Sequence, residues 1–140
     1  MSPTLPQELM LHYRLEGGDG ARVRLLASQC GEANRLSFPR RAFCGADLTE
    51  PEEVEVPGVG TVYCYTVVRT RAPYGLPTPY AVGYVDIDGT GLRVFGLFEP
   101  ELVDDLEAGL AVELQARPLG IDNHGEACLR PLFCRKERAA

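Results

Sequence analysis

The residues best suited to catalysis are two histidines and five cysteines, and their positions in the sequence do not assemble a catalytic set. His12 and His124 lie far apart, and neither has the spacing of a Ser-His-Asp or Cys-His arrangement. A nucleophile needs a neighbouring base to activate it, and the sequence pairs no cysteine with one. We therefore expect both histidines to lie at the surface and the chain to have no catalytic activity of its own.

The cysteines fit structural roles. Cys64, Cys128 and Cys134 sit in apolar, strand-like runs, where a buried cysteine behaves as a small hydrophobe. The cysteine count is odd, and the amino-terminal residues lack the apolar core of a signal peptide, so the sequence does not suggest a disulfide framework. A cytoplasmic location is the default expectation.

Close carboxylates and clustered arginines also have structural interpretations. Asp86 with Asp88, and Asp104 with Asp105, have the proximity that acid–base catalysis uses, but turns and helix starts favour aspartate for structural reasons alone. Each arginine cluster could meet a phosphate or a carboxylate, or could simply be solvated. The clusters are Arg35, Arg40 and Arg41, and Arg69 with Arg71.

The composition indicates one globular domain, or one domain with a small appendage. The chain has 140 residues, of which 45% are hydrophobic and 24% charged, values typical of folded proteins. Fourteen basic and twenty acidic residues give a net charge of -6, which disfavours general nucleic-acid binding. No apolar run approaches the roughly 20 residues that span a bilayer, so no membrane association is expected.

Five strands are predicted after Gly60 from runs of β-branched, aromatic and alternating residues. They cover residues 61–68, 80–87, 92–98, 111–117 and 127–134, with a turn at 88–91 and a proline-rich loop at 73–79. Residues 99–106 begin with a proline and acids and have leucines four apart, which predicts a short helix ended by Gly109. Pro131 places the last strand at an edge or a bulge. This order is compatible with an OB-fold, although other small barrels remain open.

The first 58 residues carry fewer strand signals. A short helix is predicted at residues 7–13 and a strand at 22–27, separated by a glycine-rich turn at 17–20. Residues 30–47 are polar, arginine-rich and loop-like, and residues 48–58 add acids and two prolines. This part of the chain is predicted to be a small appendage to the barrel.

A specific resemblance begins at residue 26. Phe38, Pro39, Arg40 and Arg41, with their spacing to Cys44, resemble the centre of the zinc ribbon in the acyl-CoA-associated zinc-ribbon/OB-fold family, also known as domain of unknown function 35. Residues 58–68, 79–87 and 110–114 resemble that family's barrel strands. The resemblance extends to residue 134 and implies a mainly β protein in three parts. These are an N-terminal helix and strand at 1–25, a degenerate, rubredoxin-like ribbon segment at 26–56, and a five-stranded OB-fold barrel at 57–137.

The metal site of the resembled family is incomplete in this chain. The family pattern has two Cys-x-x-Cys pairs, which suit tetrahedral zinc, whereas this chain has Cys30 and Cys44 with Ala33 and Asp47 at the other two positions. Cys30, Cys44 and Asp47 would supply three ligands at best. We therefore expect no bound zinc, and we expect packing on the barrel to hold the ribbon's shape. The packing residues would be Leu36, Phe38 and Phe43.

The resemblance also implies an accessory function. Members of the family bind thiolase-superfamily enzymes or acyl-CoA aldolases and help to form the acyl-CoA site. A coenzyme A thioester is therefore the expected ligand of a hetero-oligomeric complex, not of this chain alone. The expected contact residues are Phe38, Pro39, Arg40, Arg41, Tyr74 and Tyr80.

Two alternatives to a thiolase partner stay open. The partner could be an acyl-CoA aldolase or lyase. A module for single-stranded nucleic acid would instead stack bases on aromatic side chains in a basic groove. The negative net charge and the absence of lysine from the predicted strands disfavour that module. Its stacking residues would be Tyr63, Tyr65, Tyr80 and Tyr84.

The purified protein is predicted to contain no stoichiometric zinc. The reason is that Ala33 and Asp47 occupy two positions where the family pattern has thiolates, and a structural zinc site needs four ligands. Elemental analysis of the protein checks this, and about one zinc per chain would contradict it.

Overall fold

The structure is a computed structural model that describes residues 4–16, 21–30, 35–41 and 50–136. Most of these residues lie in β-strands. Two short 3-10 turns, Pro73–Gly75 and Pro100–Leu102, lie between strands. No helix within those ranges has the length and apolarity needed to cross a membrane. The helix and strands in chain order are α1 (Gln7–Met10), β1 (Tyr13–Leu15), β2 (Val23–Cys30), β3 (Arg35–Ser37), β4 (Glu52–Pro57), β5 (Val59–Val68), β6 (Tyr80–Ile87), β7 (Arg93–Leu97), β8 (Ala111–Ile121) and β9 (Ala127–Arg135).

The last five strands form one curled antiparallel sheet in the order β7-β6-β5-β8-β9. The two ends of this sheet meet where Phe98 forms a parallel bridge with Phe133. The backbone N–H of Glu99 donates to the carbonyl of Phe133 at 3.0 Å, and the rings of Phe98 and Phe133 lie 6.1 Å apart. This strand order and closure are those of a small five-stranded barrel, so the predicted OB-fold is confirmed.

Alternation along the strands fills the barrel. Every second residue of β6 is buried, as are Val112, Leu114 and Ala116 of β8, because successive side chains of a strand point to opposite faces. Predicted strands 80–87 and 127–134 match β6 and β9 closely. Pro131 lies in β9, the last strand in the sheet order, as expected for an edge.

The helix predicted at 99–106 is wrong in type. Residues 100–102 form a 3-10 turn, and the N–H groups of Leu102, Val103 and Asp105 each donate to the carbonyl three residues earlier. Both ends of this segment are tied to the barrel, Glu99 to Phe133 and the N–H of Gly109 to the carbonyl of Val62. Between these two hydrogen bonds the chain makes a tighter turn than an α-helix. Leu102 and Leu106 are buried there, at 1% and 7% exposure.

A four-stranded sheet precedes the barrel, and much of it differs from the loop-like appendage that we predicted. β2 lies at its centre, β4 pairs along one edge of β2, and β1 and β3 share the other edge. β4 was missed, and the helix predicted at 7–13 ends at Met10 because Tyr13 begins β1. Arg14 of β1 pairs with Glu55 of β4 at 2.5 Å, so the acids of β4 balance arginines across the sheet.

The sheet and the barrel are joined directly. Only Gly58 separates β4 from β5, and a Cβ atom there would lie 2.7 Å from Leu114 Cδ1 and 2.9 Å from the carbonyl oxygen of Val23. The N–H of Leu114 donates to the carbonyl of Gly58 at 2.7 Å, and the N–H of Ala116 donates to Ala21 at 2.9 Å. The chain therefore passes from one sheet to the other in a single residue. The three predicted segments, 1–25, 26–56 and 57–137, stay predictions.

Replacing Gly96 with alanine is predicted to destabilise the protein by about 1–3 kcal/mol, because an added methyl overpacks the barrel closure. The new Cβ would lie 2.5 Å and 2.8 Å from two carbons of the Phe133 ring, and that ring is only 1% exposed. Urea denaturation of the two proteins measures the cost. In a Phe133→Leu background the same substitution should cost less, since the conflicting ring is absent; equal costs in both backgrounds would contradict the packing argument.

Candidate interaction surfaces

Phe38 anchors the predicted contact motif on the N-terminal sheet. Its ring contacts His12 edge-on at 6.2 Å between centroids, and Tyr13 at 5.6 Å. Phe38 and Leu36 are both partly buried against the core, and burial raises the pKa of the neighbouring Tyr13. Phe38 is therefore a packing residue of the fold first, with only its remaining surface free for a partner.

The two arginines of the motif have different environments. The Arg40 guanidinium donates to the carbonyl of Leu11 at 2.7 Å and pairs with Glu53 at 3.0 Å. Arg41 donates its backbone N–H to the buried Ser28 hydroxyl at 2.8 Å, and the residue is exposed. Both line a cavity of about 410 Å³, as does His12. Among the described residues, the buried Nδ1 atom of His12 has no hydrogen-bond partner. Arg40 thus supports the fold, whereas Arg41 is the more accessible cation.

The degenerate metal site lies partly outside the described residues. Cys44 and Asp47 fall there, as do Ala33 and Phe43, while Cys30 ends β2. Cys30 is disulfide-bonded, which differs from our expectation, and a sulfur in a disulfide is not a thiolate ligand. Among the residues in the described ranges, no three histidine, cysteine or acidic side chains come together to hold a metal ion.

The loop between β5 and β6 rests on the β8–β9 hairpin. Arg130 of β9 donates to the carbonyls of Leu119 and Ile121 at 3.0 and 2.5 Å, and its guanidinium lies 5.2 Å from the centre of the Tyr74 ring. Tyr74 is half exposed and has a φ of 55°, while Tyr80 is partly buried at the start of β6. The structure thus attaches the loop to the barrel. The Phe38 motif, residues 38–41, follows β3 of the N-terminal sheet, so the two predicted contact segments lie in different parts of the fold.

A further surface lies on the outer side of β5, β6 and β7. It is formed by Tyr63, Tyr84, Phe95 and the side chain of Arg93, and we call it the aromatic face. Tyr84 and Phe95 stand directly opposite each other, with ring centroids 5.4 Å apart. Both tyrosines were predicted from the sequence as residues that could stack on bases, whereas Phe95 was not predicted. Its signal is alternation, since Phe95 shares the outward side of its strand with Arg93, between buried Val94 and half-buried Gly96.

The groups that could do catalysis are in structural environments. Burial raises the pKa of the Cys134 thiol to about 12 and also raises the pKa of Cys128, so neither forms a thiolate near neutral pH. His124 donates its backbone N–H to Asp122, whose pKa is lowered by backbone N–H groups of Glu126 and His124. Cys128, Cys134 and His124 are thus each held in a structural environment.

Paired carboxylates are likewise accounted for by the fold. Asp86 accepts from Arg93 at 2.7 Å, and Asp105 accepts from Arg135 at 3.1 Å. Both pairs are at the surface, where such contacts contribute little to stability. Asp86 and Asp105 are thus each engaged by an arginine.

Comparisons with known proteins agree with this architecture. Residues 53–117 match the family model described as ChsH2, C-terminal OB-fold domain. The chain is 30% identical over 104 residues to a DUF35 domain-containing scaffold protein of Methanocaldococcus jannaschii, covering 72% of this chain and 73% of the relative. It is 31% identical over 105 residues to the benzoylsuccinyl-CoA thiolase subunit BbsA of Geobacter metallireducens, covering 75% of this chain and 70% of that subunit.

A solved structure shares the fold. The Ltp2-ChsH2(DUF35) aldolase structure superposes with a TM-score of 0.64 at 26% sequence identity, over 80% of this chain and 84% of that chain. The strand order of the barrel, the family model and these relatives all indicate the same fold family. The chain belongs to the DUF35 family of OB-fold proteins.

Proposed function

We propose that this chain is a non-catalytic accessory subunit that binds a thiolase-superfamily enzyme and helps to form its acyl-CoA site, enabling thiolytic cleavage or condensation. The observation that carries the proposal is the 31% identity, over 75% of the chain, to a protein named as a thiolase subunit. A coenzyme A thioester would be the ligand of the complex. The chain itself would bind neither zinc nor another cofactor.

The chemistry of the described residues supports a dependent role. A thiolase reaction needs an activated thiolate and a base within hydrogen-bond reach. The thiols of Cys128 and Cys134 are buried with raised pKa values, and His12 contacts the Phe38 ring. The partner would therefore supply the nucleophile and base.

The proposed contacts are the Phe38 motif and the loop. We propose that Phe38, with Pro39, presents an apolar contact beside the exposed Arg41, while Arg40 holds the motif in place through Leu11 and Glu53. On the loop, Tyr74 and Tyr80 complete the proposed set. Aromatic and arginine side chains are the types that most often dominate interface energetics.

An acyl-CoA aldolase is the alternative partner. It is favoured by the superposition on the Ltp2-ChsH2(DUF35) aldolase structure, whose TM-score is 0.64. The two partners are distinguished by co-expressing the chain separately with a thiolase-type and an aldolase-type enzyme of the source genome and measuring complex mass by light scattering. Association with the thiolase-type enzyme would support the proposed thiolase partner. Association with the aldolase-type enzyme alone would show that the partner is an aldolase instead.

The complex is predicted to turn over acyl-CoA where this chain alone does not. Arg41→Glu should weaken association by about tenfold or more, because it reverses an exposed charge at the proposed contact. Lys136→Glu is the matched control, since it makes the same charge change at another exposed residue. Isothermal titration and acyl-CoA turnover measure the two effects. Robust turnover by this chain alone, or full activity of the enzyme without it, would refute the proposal.

A further inference from the structure

The aromatic face exposes large apolar side chains side by side. Tyr63, Tyr84 and Phe95 are 50%, 42% and 56% exposed, and Tyr84 contacts Phe95 across two strands. Single exposed apolar residues are ordinary, but a contiguous group has a cost in water and marks a binding surface. Three neighbouring strands each contribute to this group.

A β-bulge in β5 places both Tyr63 and Cys64 on the outer side. The pairing of β5 with β6 shifts between Val62, which is opposite Val85, and Cys64, which is opposite Tyr84. Val62 is buried, Cys64 is exposed, and the Tyr63 ring lies under the guanidinium of Arg93 on the outer side. Two consecutive residues therefore point outward, which a regular strand does not allow. Bulges commonly redirect a side chain in this way.

The charges of the face are neutralised within it. Arg93 donates to both carboxylate oxygens of Asp86, at 2.7 and 3.4 Å, and its guanidinium carbon lies 3.4 Å from the centre of the Tyr63 ring. A groove for single-stranded nucleic acid needs cations free to track phosphates, and Arg93 is already committed. A locally neutral surface of tyrosine, phenylalanine and arginine has the composition of the centre of a protein–protein interface.

We infer that the aromatic face is the docking surface for the acyl-CoA enzyme subunit, which would cover it with an apolar, locally uncharged patch. This inference rests on the proposed function. The face is continuous with the loop contact proposed above, because Tyr80 and Tyr84 lie at alternate outward positions of β6. One continuous interface would run from the loop at 73–79 across β6 to β7.

The exposed thiol of Cys64 is a built-in probe of this face. Cys64 is opposite Tyr84, whereas Cys128 and Cys134 are buried. In the chain alone, iodoacetamide should alkylate Cys64 readily. In the complex with the enzyme, the rate should fall by about tenfold or more, because a docked subunit excludes solvent from an interface centre. Peptide mass mapping identifies the modified cysteine, and an unchanged rate at Cys64 in a complex verified by light scattering overturns the inference.

Substitution of the rings gives an independent measurement. The double variant Tyr84→Thr with Phe95→Thr keeps β-favourable residues and is expected to weaken binding of the enzyme by about a hundredfold, because central aromatics dominate interface affinity. Met10→Thr is the matched control, since Met10 is 50% exposed but lies in α1. The circular dichroism spectrum and urea midpoint of the double variant should match those of the unmodified chain. If the double variant is misfolded, the alkylation of Cys64 decides the question.

The outcomes separate this inference from the proposed function. If neither enzyme class binds the unmodified chain, the proposed function and the docking surface are both wrong. If an enzyme binds but the double variant binds equally well, only the docking surface is wrong. Protection of Cys64 in the chain alone, with a doubled mass in light scattering that the double variant abolishes, would assign the face to a second copy. Binding of a fluorescent oligothymidine that depends on these rings would assign it to nucleic acid. Either result overturns the inference.

Discussion

The meeting of Phe98 and Phe133 is the constraint on which the curled sheet depends. Phe98 follows β7 and Phe133 lies in β9, so this contact joins the two outer strands of the sheet. The outer strands of a sheet carry backbone edges that are prone to pairing with other chains. The closure is narrow, a single parallel bridge supported by a hydrogen bond from Glu99 to Phe133. Gly96 contributes by having no side chain where the Phe133 ring passes. A small number of residues thus fixes the curvature that gives the outer strands their shape.

Local residue preferences were enough to predict most of the barrel. β6 was predicted with its observed bounds, and β5 and β9 nearly so, because β-branched and alternating residues encode a strand without reference to its neighbours. The segment at 99–106 could not be predicted in this way, since its 3-10 geometry is imposed by ties to Phe133 and Val62. β4 was missed because its glutamates find their partners far away in the sequence, Glu55 with Arg14 and Glu53 with Arg40.

The candidate surfaces show the same division. The Phe38 to Arg41 motif could be found from residue types and spacing, but the difference between its two arginines could not. It arises because the fold brings the carbonyl of Leu11 and the carboxylate of Glu53 to Arg40 and leaves Arg41 exposed. Phe95 could have been found by asking which aromatic residue occupies the polar side of an alternating strand. Tyr63 was named from its residue type, but the register shift that leaves both Tyr63 and Cys64 outward could not be predicted, because it is a property of strand pairing.

The bulge in β5 has a consequence for how relatives of this chain can diverge. β5 has one more residue than β6 at the bulge, so the alternation of inward and outward side chains shifts by one residue there. Loss of one codon at the bulge would therefore remove an outward aromatic and leave the inward residues of β5 in place. A deletion of one codon can thus change the outer surface of the barrel while the core residues stay the same. Residues that contact a partner can therefore change in evolution faster than the residues that determine the fold.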